Sequence, residues 1–132
     1  MNEDYVNGLR RLEFGDPGEL RSRLVDLVIN GNKRATAGAL DWDYGPTEPI
    51  EKVGEKFAVV DNENQHIATI QVTRVEICRF ADVPDEFALA EAEGDLTGDD
   101  FRESHFKFWT DCGYKIDDDS KIVLAYFDLI SD

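Results

Sequence analysis

The sequence is poor in most of the residues around which small specialised proteins are built. Two cysteines in 132 residues, Cys78 and Cys112, are too few and too far apart for a disulfide scaffold or a zinc site. Both read as reduced thiols, Cys78 in a strand and Cys112 in a turn. No apolar run approaches the length of a membrane span, which excludes a helical membrane protein. The opening Met1-Asn2-Glu3-Asp4 is not a secretory leader, so the expected location is the cytoplasm. Walker loops, dinucleotide fingerprints, internal repeats and low-complexity segments are all missing. Asp117-Asp118-Asp119 lacks the glycine and distal glutamate of a calcium loop and reads as a turn. No metal and no cofactor are therefore expected.

Basic residues are scarce too, and unevenly placed. The chain holds 14 Lys and Arg against 29 Asp and Glu, a net charge of −15. Residues 1–34 balance six basic groups against six acids, so the rest of the chain carries the whole excess. An extended phosphate backbone is repelled by most of such a surface and tolerated only near Arg21, Arg23 and Arg34. Simple solubility explains the same charge equally well.

What is present is a single domain of α+β class, long enough to bury a core. Asp16, Pro17 and Glu19 read as the cap, first residue and capping-box partner of a helix over 17–30. Leu20, Leu24, Leu27 and Val28 form its buried stripe, and Asn30-Gly31 its stop. Residues 5–14 read as a loose lead-in packed as a short helix or turn. A short strand fits 33–40, and a long polar loop fits 41–55. Residues 57–60 and 66–73 are spaced as an antiparallel hairpin, and 75–80 continue the sheet. Residues 84–92 read as helical. Thr97 and Asp100 open a second capped helix, 98–109, with the stripe Phe101, His105, Phe108 and Trp109. The last strand is 122–130. The strand cluster between helices implies a small curled sheet or barrel.

Lys33 and Thr36 leave the first helix where a side chain can be aimed with precision. If both serve one site, Lys33 must sit in the turn before the strand, because alternation puts the two on opposite faces. Lys33 can serve as a base for the Thr36 hydroxyl, as a charged binding group, or as a complement to the helix dipole. Trp42 and Tyr44 can stack on a base or fold down to cap the sheet. Glu91, Glu93 and Asp95 form either a solvated acidic turn or a proton-handling site. His105, on a buried stripe, reads more readily as a satisfied core histidine than as a catalyst.

The ordered set Gly31-Asn32-Lys33-Arg34-Ala35-Thr36, Trp42 with Tyr44, Lys52-Val53-Gly54-Glu55, Ala90 to Leu96 and the Phe101 helix resembles the ASCH domain family. The resemblance covers roughly residues 12–130. It implies a PUA-like mixed or antiparallel β-barrel with flanking helices. It also implies recognition of RNA, a nucleotide or a modified nucleoside in a cleft beside the barrel, with Lys33, Arg34, Trp42 and Tyr44 as binding residues. Some small members deacylate acetylated cytidine through a lysine, a threonine and a glutamate, which map here to Lys33, Thr36 and Glu93. Glu91 or Asp95 could take the place of Glu93. A ribonuclease-like hydrolase and a protein-interaction domain with a degenerate cleft are the remaining alternatives. The charge distribution favours a short or neutral ligand over extended RNA.

Overall fold

Where the strands fall follows from where apolar residues run without interruption. Phe57-Ala58-Val59-Val60 is buried throughout, as suits a strand covered on both faces. It forms most of β4 (Lys56–Val60), which pairs in parallel with β2 (Leu9–Leu12) and antiparallel with β5 (His66–Arg79). With β1 (Tyr5–Val6), β3 (Ala35–Ala39) and β6 (Lys121–Ser131) these make one mixed sheet in the order β1-β2-β4-β5-β6-β3. The computed structural model describes residues 5–131. Met1–Asp4, on which the leader expectation rests, lie outside them.

The α+β class expected from the sequence holds, but the barrel does not close. The sheet ends at β1 on one side and β3 on the other, so it is barrel-like only approximately. Its curl comes from β5, whose register against β6 shifts at Thr69/Ile70 and again at Val72/Arg74. Such irregularities bend a strand and increase its twist. Two cores result. One gathers Phe14, Leu24, Val28, Phe57, Ile70 and Phe127 beneath α1 (Glu19–Ile29). The other gathers Ala35, Phe80, Phe87, Phe101, Trp109 and Leu124 beneath α3 (Asp85–Glu91) and α4 (Gly98–Asp111).

The helices start partly as expected. Thr97 caps α4, its side chain accepting the Asp100 amide at 3.1 Å. Gly98 follows because a Cβ there would lie 2.2 Å from the Val83 carbonyl oxygen. The cap of α1 differs. Asp16 and Pro17 stand outside the helix, and the cap position is Gly18, at φ 122° and ψ −149°, a conformation favouring glycine. Its amide donates to Asn62 Oδ1 at 2.8 Å, and Asn62 Nδ2 donates to the Gly18 carbonyl and to Ser22 Oγ. A residue of the β4–β5 turn thus anchors the start of the helix, whose first-turn amides have no side-chain cap.

Three further expectations need correction. Residues 5–14 contain β1 and β2 and no helix. A four-residue helical turn, α2 (Leu40–Asp43), opens the 41–55 loop. Phe108 is 48% exposed and off the buried stripe. The Asp117–Asp119 turn, the 57–60/66–73 hairpin and the final strand lie where the sequence puts them.

Candidate functional site: an acidic cavity between the two cores

The exit of α1 is held at both ends of a short turn. Gly31 takes φ +85° and the Lys33 amide donates back to the Leu27 carbonyl at 2.9 Å. One residue later, the Arg34 amide donates to Ala90 at the end of α3, and the Arg34 carbonyl accepts from Phe127 of β6. Lys33 therefore lies in the turn before β3, and the same clamp draws the 90–95 turn over it.

Ala92 ends α3 at φ 57°. Glu93, beyond it, reaches Lys33: Nζ donates to Glu93 Oε2 at 2.7 Å. The ammonium also donates to the Ala35 and Glu91 carbonyls at 2.9 and 3.2 Å, and sits 5.6 Å from the centre of the Phe14 ring. Lys33 is 1% exposed. Three donors meet three acceptors, which is what makes burying an ammonium tolerable.

A cavity of about 660 Å³ opens above this pair, between the two cores. Thr36, Tyr44 and Glu93 line it. Lys33 lies behind Glu93 and is not on its wall, nor are Arg34 and Trp42. Arg34 turns to β6, where it pairs with Asp128 and donates to the Phe127 carbonyl. Trp42 stacks on Tyr114, ring centres 5.0 Å apart and planes 11° apart, and Tyr114 is the ring that meets the cavity.

The wall on the β3 side depends on a missing side chain. A Cβ on Gly38 would lie 2.6 Å from Tyr44 Oη, so glycine lets the Tyr44 ring lie against the strand. The Tyr44 hydroxyl donates to the Glu51 carboxylate at 2.9–3.0 Å. Burial, reinforced by Glu51, pushes the Tyr44 phenol well above its usual range. Burial likewise raises the Glu51 carboxyl, although the Tyr44 bond and the nearby Arg10 oppose it. Asp43 ties the corner together, accepting from the Ala39 amide at 2.7 Å and from the Tyr114 hydroxyl. Arg10 holds the far loop down through Glu48, Glu55 and the Pro49 carbonyl.

The opposite wall brings Glu91, Asp95 and His105 together. His105 stacks on Phe101 at 3.8 Å and its Nδ1 lies 3.1 Å from the Phe101 carbonyl oxygen. A carbonyl only accepts, so this contact places a proton on Nδ1. Nε2 faces Glu91 Oε1 at 3.6 Å, a charge contact longer than a hydrogen bond. Burial pulls the imidazole down, but the Glu91 carboxylate, the charge of Glu93 and the Phe101 carbonyl outweigh it, and the net direction is up. The sequence offered His105 as a core group. It missed Glu51, Asp43 and Tyr114, whose roles depend on contacts that no local pattern signals.

Among the described residues eight carboxylates line the cavity, Glu51, Glu91, Glu93 and Asp95 among them, against the one arginine, Arg23. The volume is that of a small-molecule site, and the charge suits ligands that donate hydrogen bonds and carry no phosphate.

A curled mixed sheet with helices closing a cavity over one end defines a small α+β domain. The chain belongs to the ASCH domain family, whose model matches residues 10–131. It is similar to the ASCH domain from Lactobacillus crispatus JV V101, with a TM-score of 0.80 and 25% identity over 92% of this chain and 79% of that one. It is also similar to a DUF984 protein from Enterococcus faecalis V583, with a TM-score of 0.76 and 31% identity over 90% of this chain and 74% of that one. No curated protein matches the chain.

Proposed function

We propose that the chain binds a small, uncharged, nucleobase-containing ligand in the cavity between its cores. The observation that carries this reading is the composition of the wall: eight carboxylates, one arginine and the aromatic rings of Tyr44, Phe108 and Tyr114. Carboxylates accept from exocyclic amino and ring N–H groups, at least one of which every nucleobase presents along its edge. Stacking on an aromatic ring adds about 1–3 kcal/mol per base. A polyanion meets the opposite conditions. Arg21 is buried and tied to Glu13 and the Gly15 carbonyl, and Arg34 is engaged by Asp128. Neither is free to neutralise a phosphate without giving up a partner.

Hydrolysis of an acylated nucleoside is the second reading, and the 2.7 Å contact between Lys33 and Glu93 favours it. In that reaction the Thr36 oxygen attacks the acyl carbonyl, and its proton passes to a neutral Lys33 amine and on through Glu93 to the departing amine. Water then cleaves the acyl-Thr36 ester, releasing the carboxylic acid and restoring the hydroxyl. Lys33 Nζ donates to three acceptors, two carbonyls and Glu93. Lys33 therefore stands as a donor, and a ligand would have to displace Glu93 before it could act as a base. That places binding first.

The test is calorimetric titration with cytidine, acetylated cytidine and guanosine, alongside a short RNA, with product analysis by mass spectrometry. Nucleoside binding at micromolar to low millimolar levels, lost when Gly38→Val drives Tyr44 from its place, supports the proposal. Release of acetate that Lys33→Ala and Thr36→Ala each abolish establishes the hydrolase. Absence of binding by any nucleoside up to 10 mM, about the weakest affinity such a site could usefully have, removes both readings and leaves the protein-interaction alternative.

A further inference from the structure

We infer that Glu91, Asp95 and His105 form a binding site for one divalent transition-metal ion, of the Zn²⁺ or Mn²⁺ class, on the α3–α4 wall of the cavity. One donor atom from each of the three lies within 4.8 Å of the others. Glu91 is 2% exposed, and its Oε1 is buried with no hydrogen-bond partner. A buried carboxylate oxygen without a hydrogen bond is costly, and it calls for a cation, which either a proton on His105 Nε2 or a metal ion in its place supplies.

The neighbouring groups are already turned for ligation. With a proton on Nδ1 directed at the Phe101 carbonyl, His105 Nε2 faces Glu91 Oε1, 3.6 Å away, and whenever the ring is neutral its lone pair points at that oxygen. Two lone pairs facing one another at that range repel unless a proton or a metal ion lies between them. A backbone carbonyl on the far nitrogen is also how ligating histidines are commonly oriented. Asp95 is steadied too, Oδ2 accepting from Ser104 Oγ at 2.8 Å. Donors bonded to one ion at about 2.1 Å lie no more than about 4.2 Å apart. Filling the site therefore needs an inward movement of about half an ångström, within reach of the short Asp95 side chain.

One imidazole and two carboxylates select against Mg²⁺ and Ca²⁺, which take oxygen donors, and suit Zn²⁺ and Mn²⁺. Three protein ligands leave at least one coordination position facing the cavity, where water or a ligand atom can bind. Lys33 already neutralises Glu93, so the ion would answer the charge of Glu91 and Asp95. The sequence hides this site because Glu91, Asp95 and His105 follow no zinc or calcium spacing. They meet only because α3 and α4 pack together. The site does not depend on which organic ligand the cavity takes.

Equilibrium dialysis of the full chain, stripped with chelator and then exposed to Zn²⁺ or Mn²⁺, with elemental analysis, tests it. One ion per chain at micromolar free metal is expected, with Mg²⁺ and Ca²⁺ at least 100-fold weaker. His105→Asn and Asp95→Asn, both partly exposed positions that the fold should tolerate, should each weaken binding at least tenfold. Glu103→Gln, an exposed acid on the same helix, should leave it unchanged. A ¹H–¹⁵N spectrum of the imidazoles should show the His105 Nε2 resonance moving on addition of Zn²⁺. Less than one ion bound at 100 µM free metal, or binding that survives both His105→Asn and Asp95→Asn, overturns the site.

Discussion

At the scale of single residues, the Lys33–Glu93 pair is unequal. Lys33 is 1% exposed and the Glu93 side chain 25%. Removing Glu93 leaves an ammonium out of water with only two carbonyls, whereas removing Lys33 leaves a carboxylate that can hydrate. Glu93→Ala should therefore destabilise by about 3 kcal/mol and Lys33→Met by about 1–2 kcal/mol, read from urea unfolding. A larger loss for Lys33→Met would reverse this account of the pair. Glu51 gives a pH signature. Its folded-state carboxyl is raised above the ordinary 4.5, so the folded state binds that proton more tightly than the unfolded state. The resulting penalty is present at neutral pH and is relieved as pH falls through the folded value towards 4.5. Glu51→Gln keeps an acceptor for Tyr44 and has no such penalty. Its stability relative to the parent should be more favourable at pH 7 than at pH 5, and the opposite trend would contradict the burial of Glu51. Lys33 was legible in the sequence because its position follows from a local stop signal at Gly31. Glu51 was not, since its burial comes from Tyr44 lying on Gly38, and Gly38 looks like any strand glycine.

At the scale of elements, local signals held where the partner was local and failed where it was distant. Thr97 caps α4 through an amide three residues on, and the sequence shows it. The start of α1 is anchored by Asn62, 44 residues from Gly18, and nothing near Asp16 reveals that. Stability measurements should separate the two cases. Thr97→Ala and Asn62→Ala should each cost about 1 kcal/mol, while Asp16→Ala should cost less than about 0.5 kcal/mol. A large loss at Asp16 with none at Asn62 would restore the sequence-based cap. Gly98→Ala should be among the most damaging small substitutions in the molecule, because its methyl meets the Val83 carbonyl. The strands β1 and β2 were missed for a related reason. Arg10 is 9% exposed, its charge met by Glu48 and Glu55 from a loop some 40 residues downstream. A buried arginine breaks the alternation by which a strand is recognised.

At the scale of the whole molecule, the α+β class and the element order from α1 onwards were legible because strands cluster mid-chain and at the end with helices between. The extent of closure was not. The sheet curls at register shifts in β5 and still ends at β1 on one side and β3 on the other. None of the described helices is long and apolar enough to cross a membrane. The acidic excess, ambiguous in sequence, becomes specific once eight carboxylates face one cavity. The central claim is that this cavity takes an uncharged nucleobase-containing ligand and not a phosphate backbone. The most direct measurement is titration of ¹⁵N-labelled protein with cytidine and with a short single-stranded RNA, each at 50 and 200 mM salt. The account predicts cytidine shifts centred on Thr36, Gly38 and residues 91–95, with an affinity that changes less than about twofold between the two salts. RNA binding that shifts residues around Arg23 and Arg34 instead, and weakens tenfold or more at the higher salt as counterion release demands, would contradict it.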